Sequence, residues 1–527
     1  MRQEKIEILS CLTTGFHIDF ENIKDIIIQI DDSKNPKGGF GQIFPCVKMN
    51  QKKTSKPILI KIYLENNHPG HHTIQKLQKC FKLKQNQLTA INSSFFDEYP
   101  ALIAAPLFSF EGKINNEEVK GYGAYDLKEK GYVDFKDILE GEDFEDFRDI
   151  FYNEYDWTKK FKMAYDLVNA INFLWNLRYI HADIKADAIF ININTSHAAF
   201  IDYDSGAFFN TNDNNKPATF GAAQDWLAPE IRASLSTNKA GNLEANVNIF
   251  SDTWSINVML YYIFFGFNPY YFLNEMSDYT LKNYFNKNKW PNFDSTQSFI
   301  NKEELNGTRA FQEYCYNELP KAIQQSFELT FNEGYFNKTS RCDLNQWVKV
   351  FRDISTAPRI IEFKVHPTVI TNESEINFSW QVENHYSIYL EGNNVSYLNE
   401  ISLPTCTNTT YILEVRNYFG KSTSEHIELK IDLSRCRIKE FRYSRCLSKY
   451  GSEVCLKWQI SGYKNIWIDG GQEHIGGSIP QIALKNKETI LVAKNIIGKS
   501  VKKLAMLRVL KQPELRTYKR PLKIRQI

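Results

Sequence analysis

This 527-residue sequence predicts a multidomain chain, an α+β part followed by two all-β sandwiches. Three observations carry that prediction. Up to about residue 355, short apolar runs lead into long stretches of helical period; beyond it, apolar and polar residues alternate between regularly spaced turn residues. The alternating region then repeats itself in register.

From the N-terminus, NPKGGFGQIFPCVKMN sets Gly38, Gly39 and Gly41 between apolar runs, and glycine lets a hairpin tip approach phosphates because no Cβ intervenes. Further on, ILIKIYL places Lys61 among Ile58, Ile60, Ile62 and Leu64. A lysine inside an apolar strand needs an anion, unless its stem snorkels from a sheet edge. In DWTKKFKMAYDLVNAINFLWNLRYI, the residues Phe161, Ala164, Leu167, Val168, Ile171 and Leu174 recur at three- and four-residue steps, which predicts a long buried helix.

In the alternating region, IIEFK from Ile360 is answered by IKEFR from Ile438, and FSWQV around Trp380 by LKWQI around Trp458. SIYLEG ending at Gly392 is answered by NIWIDG ending at Gly470, and VRNYFGKS with Gly420 by AKNIIGKS with Gly498. Each offset is 78 (458 − 380, 470 − 392, 498 − 420), so two tandem copies of one fold are expected, at 357–432 and 435–510. The Trp strand, the strand closing on Gly and the Asn-x-x-Gly-Lys-Ser turn resemble bacterial immunoglobulin-like domains, modules for binding or spacing. Cys455 has no cysteine partner around Leu491, so Trp380 and Trp458 are expected to hold the sheets by packing alone.

Composition narrows the function. Sixty-four basic and sixty-two acidic residues leave a net charge of +2, so no global field draws the chain to nucleic acid or membrane. Nine cysteines without a Cys-x-x-Cys pair suit neither a zinc site nor a disulfide framework. MRQEKIEILSCLTTGF lacks the pattern of a secretory signal, and SINVMLYYIFFGF, interrupted by Asn257, falls short of the roughly 20 apolar residues that span a bilayer. A soluble, cytoplasmic protein is expected. The end, 511–527, reads as a basic tail suited to a polyanion, because nine lysines and arginines from Val501 onward face the single acid Glu514.

The motifs HADIKADAIFI, AAFIDYDSGAFF, DWLAPEI, FSDTWSINVML and FNKTSRCDL then follow one another. With them, the chain from about Asp31 to Phe351 resembles a eukaryotic-like protein kinase domain, and IDYDS resembles a bacterial subgroup of that superfamily. The resemblance implies a bilobal α+β fold over 1–353, with an N-lobe at about 20–127 and a C-lobe at about 128–353. It implies ATP and Mg2+ or Mn2+ as cofactors and a protein substrate. By position, Gly38, Gly39, Gly41, Ile43, Lys61, Tyr125 and Leu127 would hold the nucleotide, Lys61 reaching its phosphates. Asp183 would accept the substrate hydroxyl proton and Lys185 would steady the transferred phosphoryl. Asp202 would hold the metal, Tyr203 would pack beneath the regulatory helix, Glu230 would pair with Arg341, and Asp252 would brace the catalytic loop.

Departures from the pattern bear on activity. Ala188 replaces a metal-binding asparagine, and a methyl group coordinates nothing. Asp204 stands where the family has glycine, so Asp204 or Asp187 is a candidate replacement ligand, with a turn role for Asp204 as the alternative. HHTIQKLQKCFKLKQNQL contains no glutamate to pair with Lys61, leaving Gln75, Gln78 or Gln85 as neutral partners. Ala182 replaces the arginine that reads a phosphorylated loop, and Ala222, Ala223 and Gln224 replace the residues before Ala-Pro-Glu, so control by one loop phosphate is not expected. The expected function is a serine/threonine protein kinase of bacterial type whose immunoglobulin-like modules dock a partner or substrate; the rivals are a pseudokinase acting as a nucleotide-binding or scaffolding switch, and a small-molecule kinase.

Overall fold

The computed structural model describes residues 2–14, 22–30, 41–88, 95–140, 156–192, 194–210, 216–220, 226–237, 243–270, 278–287, 289–291, 313–370, 375–404, 410–431, 436–471, 477–495 and 498–510. Contacts divide the chain into two units: Met1–Thr356 with Tyr418–Gly420, and Ala357–Asn417 with Lys421–Ile527.

The first unit opens with seven antiparallel strands: β1 (Arg2–Thr13), β2 (Asp25–Ile30), β3 (Gly41–Met49), β4 (Lys52–Lys53), β5 (Ile58–Tyr63), β6 (Phe108–Ile114) and β7 (Glu117–Tyr125). Their order is β2-β1-β6-β7-β5-β3-β4, and β2 also pairs with β3, so the sheet closes on itself. Closure removes edges that could pair with another chain. Alternation assigns the faces of β5. Ile58, Ile60 and Ile62 enter a core with Ile6, Ile26, Ile28, Phe108 and Phe110, while Leu59 and Lys61 face a cleft on the other side.

β1 lies ahead of the 20–127 span expected for the N-lobe. Ile6 is its only buried residue, so its alternation is faint in the sequence. Beside the sheet runs helix α1 (Pro69–Leu88), which buries Ile74, Leu77 and Phe81.

Three helices anchor the second lobe of this unit. α2 (Trp157–Asn176) starts at Asp156, whose carboxylate accepts the Lys159 N–H. α3 (Ile249–Phe265) starts at a reciprocal Asn248–Ser251 cap and is buried on nearly every side, which explains why apolar residues occupy all its faces. α4 (Leu344–Ser355) starts at an Asp343–Gln346 capping box. Asn257, the polar interruption in α3, is fully buried and fully used. Its Nδ2 donates to Thr253 O (2.8 Å) and Cys342 O (3.0 Å), and its Oδ1 accepts from Trp347 Nε1 (2.9 Å) and Thr330 Oγ1 (3.0 Å). A satisfied buried amide fixes how the helices dock where an apolar residue would let them slide. Among the described residues no helix is long and apolar enough to cross a membrane.

In the second unit the sequence repeat recurs as geometry. Arg359–His366 pairs with Glu375–Glu383 and Arg437–Tyr443 with Glu453–Ser461, each with a register shift at the same place, Ile360/Glu362 and Ile438/Glu440. Trp380 N–H donates to Asn399 O and Trp458 N–H to Gly477 O, both at 3.0 Å. Asn417 N–H donates to Lys421 O and Asn495 N–H to Lys499 O, closing the two equivalent turns. Each copy couples a three-stranded and a four-stranded sheet around its own apolar core, one with Phe378, Trp380 and Leu413, the other with Leu456, Trp458 and Leu491. The described cysteines are free thiols. The basic tail lies outside the described residues.

If β1 is integral to the closed sheet, truncating fully buried Ile6 to alanine should cost about 3 kcal/mol in chemical unfolding, the transfer and cavity terms together. Leu9→Ala, at an exposed position of the same strand, should move the midpoint little.

Candidate functional site

A cleft of about 580 Å3 lies between the sheet and the helical lobe of the first unit. Ile43, Leu59, Ala104, Phe190 and Ile201 line it with apolar surface, Tyr125 at the end of β7 and Leu127 just beyond it add to the lining, and Lys61, Asp134 and Asp202 bring polar groups. Lys61 stands across from Ile43 on β3 and Tyr122 on β7, so strand register alone fixes where its stem begins. Its Nζ donates to Asp202 Oδ1 (3.2 Å) and Asp204 Oδ1 (3.0 Å). Burial works against the lysine charge, but Asp204 and then Asp202 hold its pKa above the ordinary value.

A short strand, Tyr179–Ile180, leads into the loop that carries Asp183 and Lys185. Asp252, near the start of α3, is almost wholly buried, and its carboxylate accepts N–H bonds from His181 (3.2 Å), Ala182 (3.0 Å) and Trp175 Nε1 (3.4 Å). Ala182 sits at φ +68, a left-handed conformation that costs a non-glycine residue energy and survives because Asp252 holds it. His181 Nε2 lies 2.8 Å from Ile201 O, tying this loop to the strand before Asp202.

Lys185 Nζ donates to Asp183 Oδ2 at 3.0 Å and lies 3.7 Å from Asp187. Burial raises the Asp183 carboxyl pKa while Lys185 opposes the rise; Asp202 is close enough to raise it further. Asp183, Lys185 and Asp202 therefore share one electrostatic environment. Ala188 is fully buried and presents only its methyl group.

Asp204 is deeply enclosed. Its side chain has no exposure, against 36% for Asp202, which faces the cleft. Tyr203 is buried beside His181, its ring centroid 5.7 Å away. Further out, Arg341 donates to both Glu230 oxygens (2.8 and 2.6 Å), to Phe250 O and to Gly334 O. Burial alone would raise the Glu230 carboxyl pKa, but Arg341 holds it below its ordinary value.

Two expected partners of Lys61 are engaged elsewhere. The Gln75 amide lies 3.1 Å from His71 Nε2, and the Gln78 amide lies 2.7 Å from Ser109 Oγ in the core. Both are corrections to the sequence reading: Gln75 is held by His71 on its own helix and Gln78 by Ser109 on β6, while Asp202 and Asp204 already pair with Lys61. The Gln85 side chain, Gly38, Gly39, Ala222, Ala223 and Gln224 lie outside the described residues. Gly41 is described in β3, where a Cβ would meet Ile62 O at 2.8 Å, so its lack of a side chain serves strand packing.

The lining fits a nucleotide: an apolar slot for a flat base, with Lys61 and Asp202 in the same cleft to meet phosphates. Among the described residues no three acidic, histidine or cysteine groups cluster to hold a metal alone. A cation at Asp202 would therefore take most of its ligands from phosphate and water, as magnesium usually does in nucleotide sites. Sequence reasoning missed Asp134 and Phe190. Phe190 sits two residues past Ala188 in the strand Ile189–Asn192, and that spacing was a usable signal; Asp134 directly precedes the helix Phe135–Glu140, and its carboxylate caps it by accepting the Lys136 N–H.

Residues 119–322 match the protein kinase domain family. The human serine/threonine-protein kinase MRCK gamma is 29% identical over 106 residues, covering 20% of this chain and 6% of its own length. The Rho-associated protein kinase let-502 of Caenorhabditis briggsae is 26% identical over 115 residues, 22% of this chain and 9% of its own. The chain thus spans less than a tenth of the length of these relatives. Among solved structures, a rhoptry kinase from Toxoplasma gondii superposes with a TM-score of 0.38 at 9% identity, covering 67% of this chain and 83% of the other. Titin kinase with its flanking domains gives 0.39 at 14% identity, covering 92% and 74%.

Two measurements probe the site without a ligand. Burial pushes the Asp134 carboxyl from about 4 up to about 6, so the folded state binds this proton more tightly than the unfolded chain and loses stability as pH rises through that window. Asp134→Asn, which keeps the cap, should melt at least as high as the parent at pH 7 and lose that advantage by pH 4. Glu230→Ala leaves a buried guanidinium without its carboxylate and should cost about 3 kcal/mol in chemical unfolding. Arg341→Lys should cost a similar amount, because an ammonium cannot reproduce the two-pronged contact.

Proposed function

We propose that the first unit is an ATP- and magnesium-dependent serine/threonine protein kinase of bacterial type. The observation that carries this reading is the convergence of Lys61 and Asp202 in one cleft with Asp183 and Lys185 in the same electrostatic environment. Phosphoryl transfer needs placement and neutralisation of charge more than covalent chemistry, and two lysines with two carboxylates supply both. Lys61 binds phosphate oxygens at the inner end of the cleft. Asp183 orients a substrate hydroxyl and takes its proton, with Lys185 holding the carboxylate in place and meeting the charge that develops. A magnesium ion bound at Asp202 would neutralise phosphate charge.

The kinase-family match over residues 119–322 and the names of the relatives support this reading. We further infer that the repeated β modules at 357–432 and 435–510 are immunoglobulin-like and dock a partner or the substrate, that the basic tail meets a polyanion, and that the protein works in the cytoplasm. A pseudokinase that binds nucleotide and transfers nothing is the second reading, favoured by buried Ala188.

Purified protein incubated with labelled ATP and magnesium or manganese, with Asp183→Asn in parallel, separates the readings. Label that disappears in the Asp183→Asn variant is expected. Nucleotide binding that depends on Lys61 and Asp202 without any Asp183-dependent label would establish the pseudokinase instead. Equal nucleotide binding by wild type and Lys61→Met would overturn the site itself.

A further inference from the structure

Lys61 holds two carboxylates at once, and they differ in kind. Asp202 is partly exposed and lines the cleft, whereas the Asp204 side chain is sealed and does not line it. Helix α1, packed next to this pair, has twenty residues and no acid. Its first turn comes so close that a Cβ on Gly70 would meet the Asp204 Cβ at 2.9 Å and its carbonyl oxygen at 3.0 Å. The Tyr122 hydroxyl lies 3.5 Å from Asp204 Oδ1. Tyr63 falls outside strict hydrogen-bond geometry, yet Asp204 is close enough, after burial, to raise the pKa of its phenol. Asp204 is thus walled in by β5, β7 and the start of α1, with Lys61 as its cationic contact.

The geometry points to Asp204 as the fixed counter-ion of Lys61, a positioning residue that aims the ammonium group into the cleft and leaves Asp202 free for a cation. This rests on the nucleotide reading of the cleft. A sealed carboxylate stays ionised only beside a compensating charge, and a nearly buried ammonium is equally bound to its anion. If Asp202 were the only partner, a cation arriving there would compete for it and release Lys61. Two carboxylates remove that conflict. Asp204 therefore does from the turn at Tyr203–Ser205 what an acid on α1 would otherwise do, and α1 is held to the site through the closeness that Gly70 permits.

A double-variant cycle tests this with Lys61→Met, Asp204→Asn and the pair, read first by thermal melting without ligand. Each single variant should melt lower than the parent, and the double should melt higher than Lys61→Met, because it no longer buries an uncompensated carboxylate. Additive losses would overturn the proposal and leave Asp204 a turn residue. If Asp204→Asn alone does not fold, a folded double supports the pairing and an unfolded double overturns it.

The second readout is affinity for ATP in EDTA and in magnesium. Asp204→Asn should weaken metal-free binding about tenfold, the scale of one charge-assisted contact, and keep the gain on adding magnesium. It should have no further effect in the Lys61→Met background. Intact metal-free affinity with the magnesium gain abolished would make Asp204 a cation ligand and overturn the proposal. Failure of the parent to bind ATP at all would remove the nucleotide reading, while the melting cycle would still decide whether Asp204 and Lys61 are paired.

Discussion

The first unit depends on one buried carboxylate. Asp252 sits on the most enclosed helix of the lobe and gives its oxygens to the backbone of His181 and Ala182 and to Trp175. Those bonds hold the loop before Asp183 in a backbone conformation it would not choose alone, and His181 carries the constraint on to Ile201 and so to Asp202. Burial raises the pKa of Asp252, and the neighbouring His181 and the N–H donors around it oppose that rise. Two segments that carry the polar chemistry of the cleft are thus positioned from one point in the core. The phosphoryl transfer proposed for the cleft would need that rigidity, since catalysis by placement tolerates errors of only a fraction of an ångström.

Around that point the polar groups divide into sealed and exposed sets. Asn257, Asp252 and Arg341 are buried and engaged by partners, as is Asp204 through its Oδ1, and they fix how elements meet. Asp202, Asp134 and Asp187 keep part of their surface in water, where a ligand can reach them. Burial separates these roles more sharply than residue type does: Asp202 and Asp204, two residues apart, fall on opposite sides of the division because the turn between them sends one towards the cleft and the other beneath α1. Sequence alone offered both as metal ligands.

In the second unit the repeat is more than a likeness of letters. The same register shift, the same Trp-strand hydrogen bond and the same turn closure recur at the same spacing. A bulge twists and bends its strand, so keeping it in both copies keeps the curvature with which the sheets enclose each tryptophan.

The sequence by itself determined the change of architecture near residue 355, the two β copies and the candidate residues of the cleft. The first two follow from periodicity and Lys61 from local chemistry, a lysine in an isoleucine strand; the acids and the other cleft residues followed from the resemblance to protein kinase domains. The resemblance to protein kinase domains also implied the pairing of Glu230 with Arg341, which 111 positions separate. What the tertiary structure decided is how distant segments close on one another. β1 joins the sheet through a single buried isoleucine, too faint a pattern to read, and its place depends on pairing with β6, far along the chain. Gln75 and Gln78 turn away from Lys61, and Asp204 turns towards it, because which charge meets which is set by the approach of α1 to the turn after Asp202. That approach is a matter of packing between segments more than a hundred residues apart, and no local pattern encodes it.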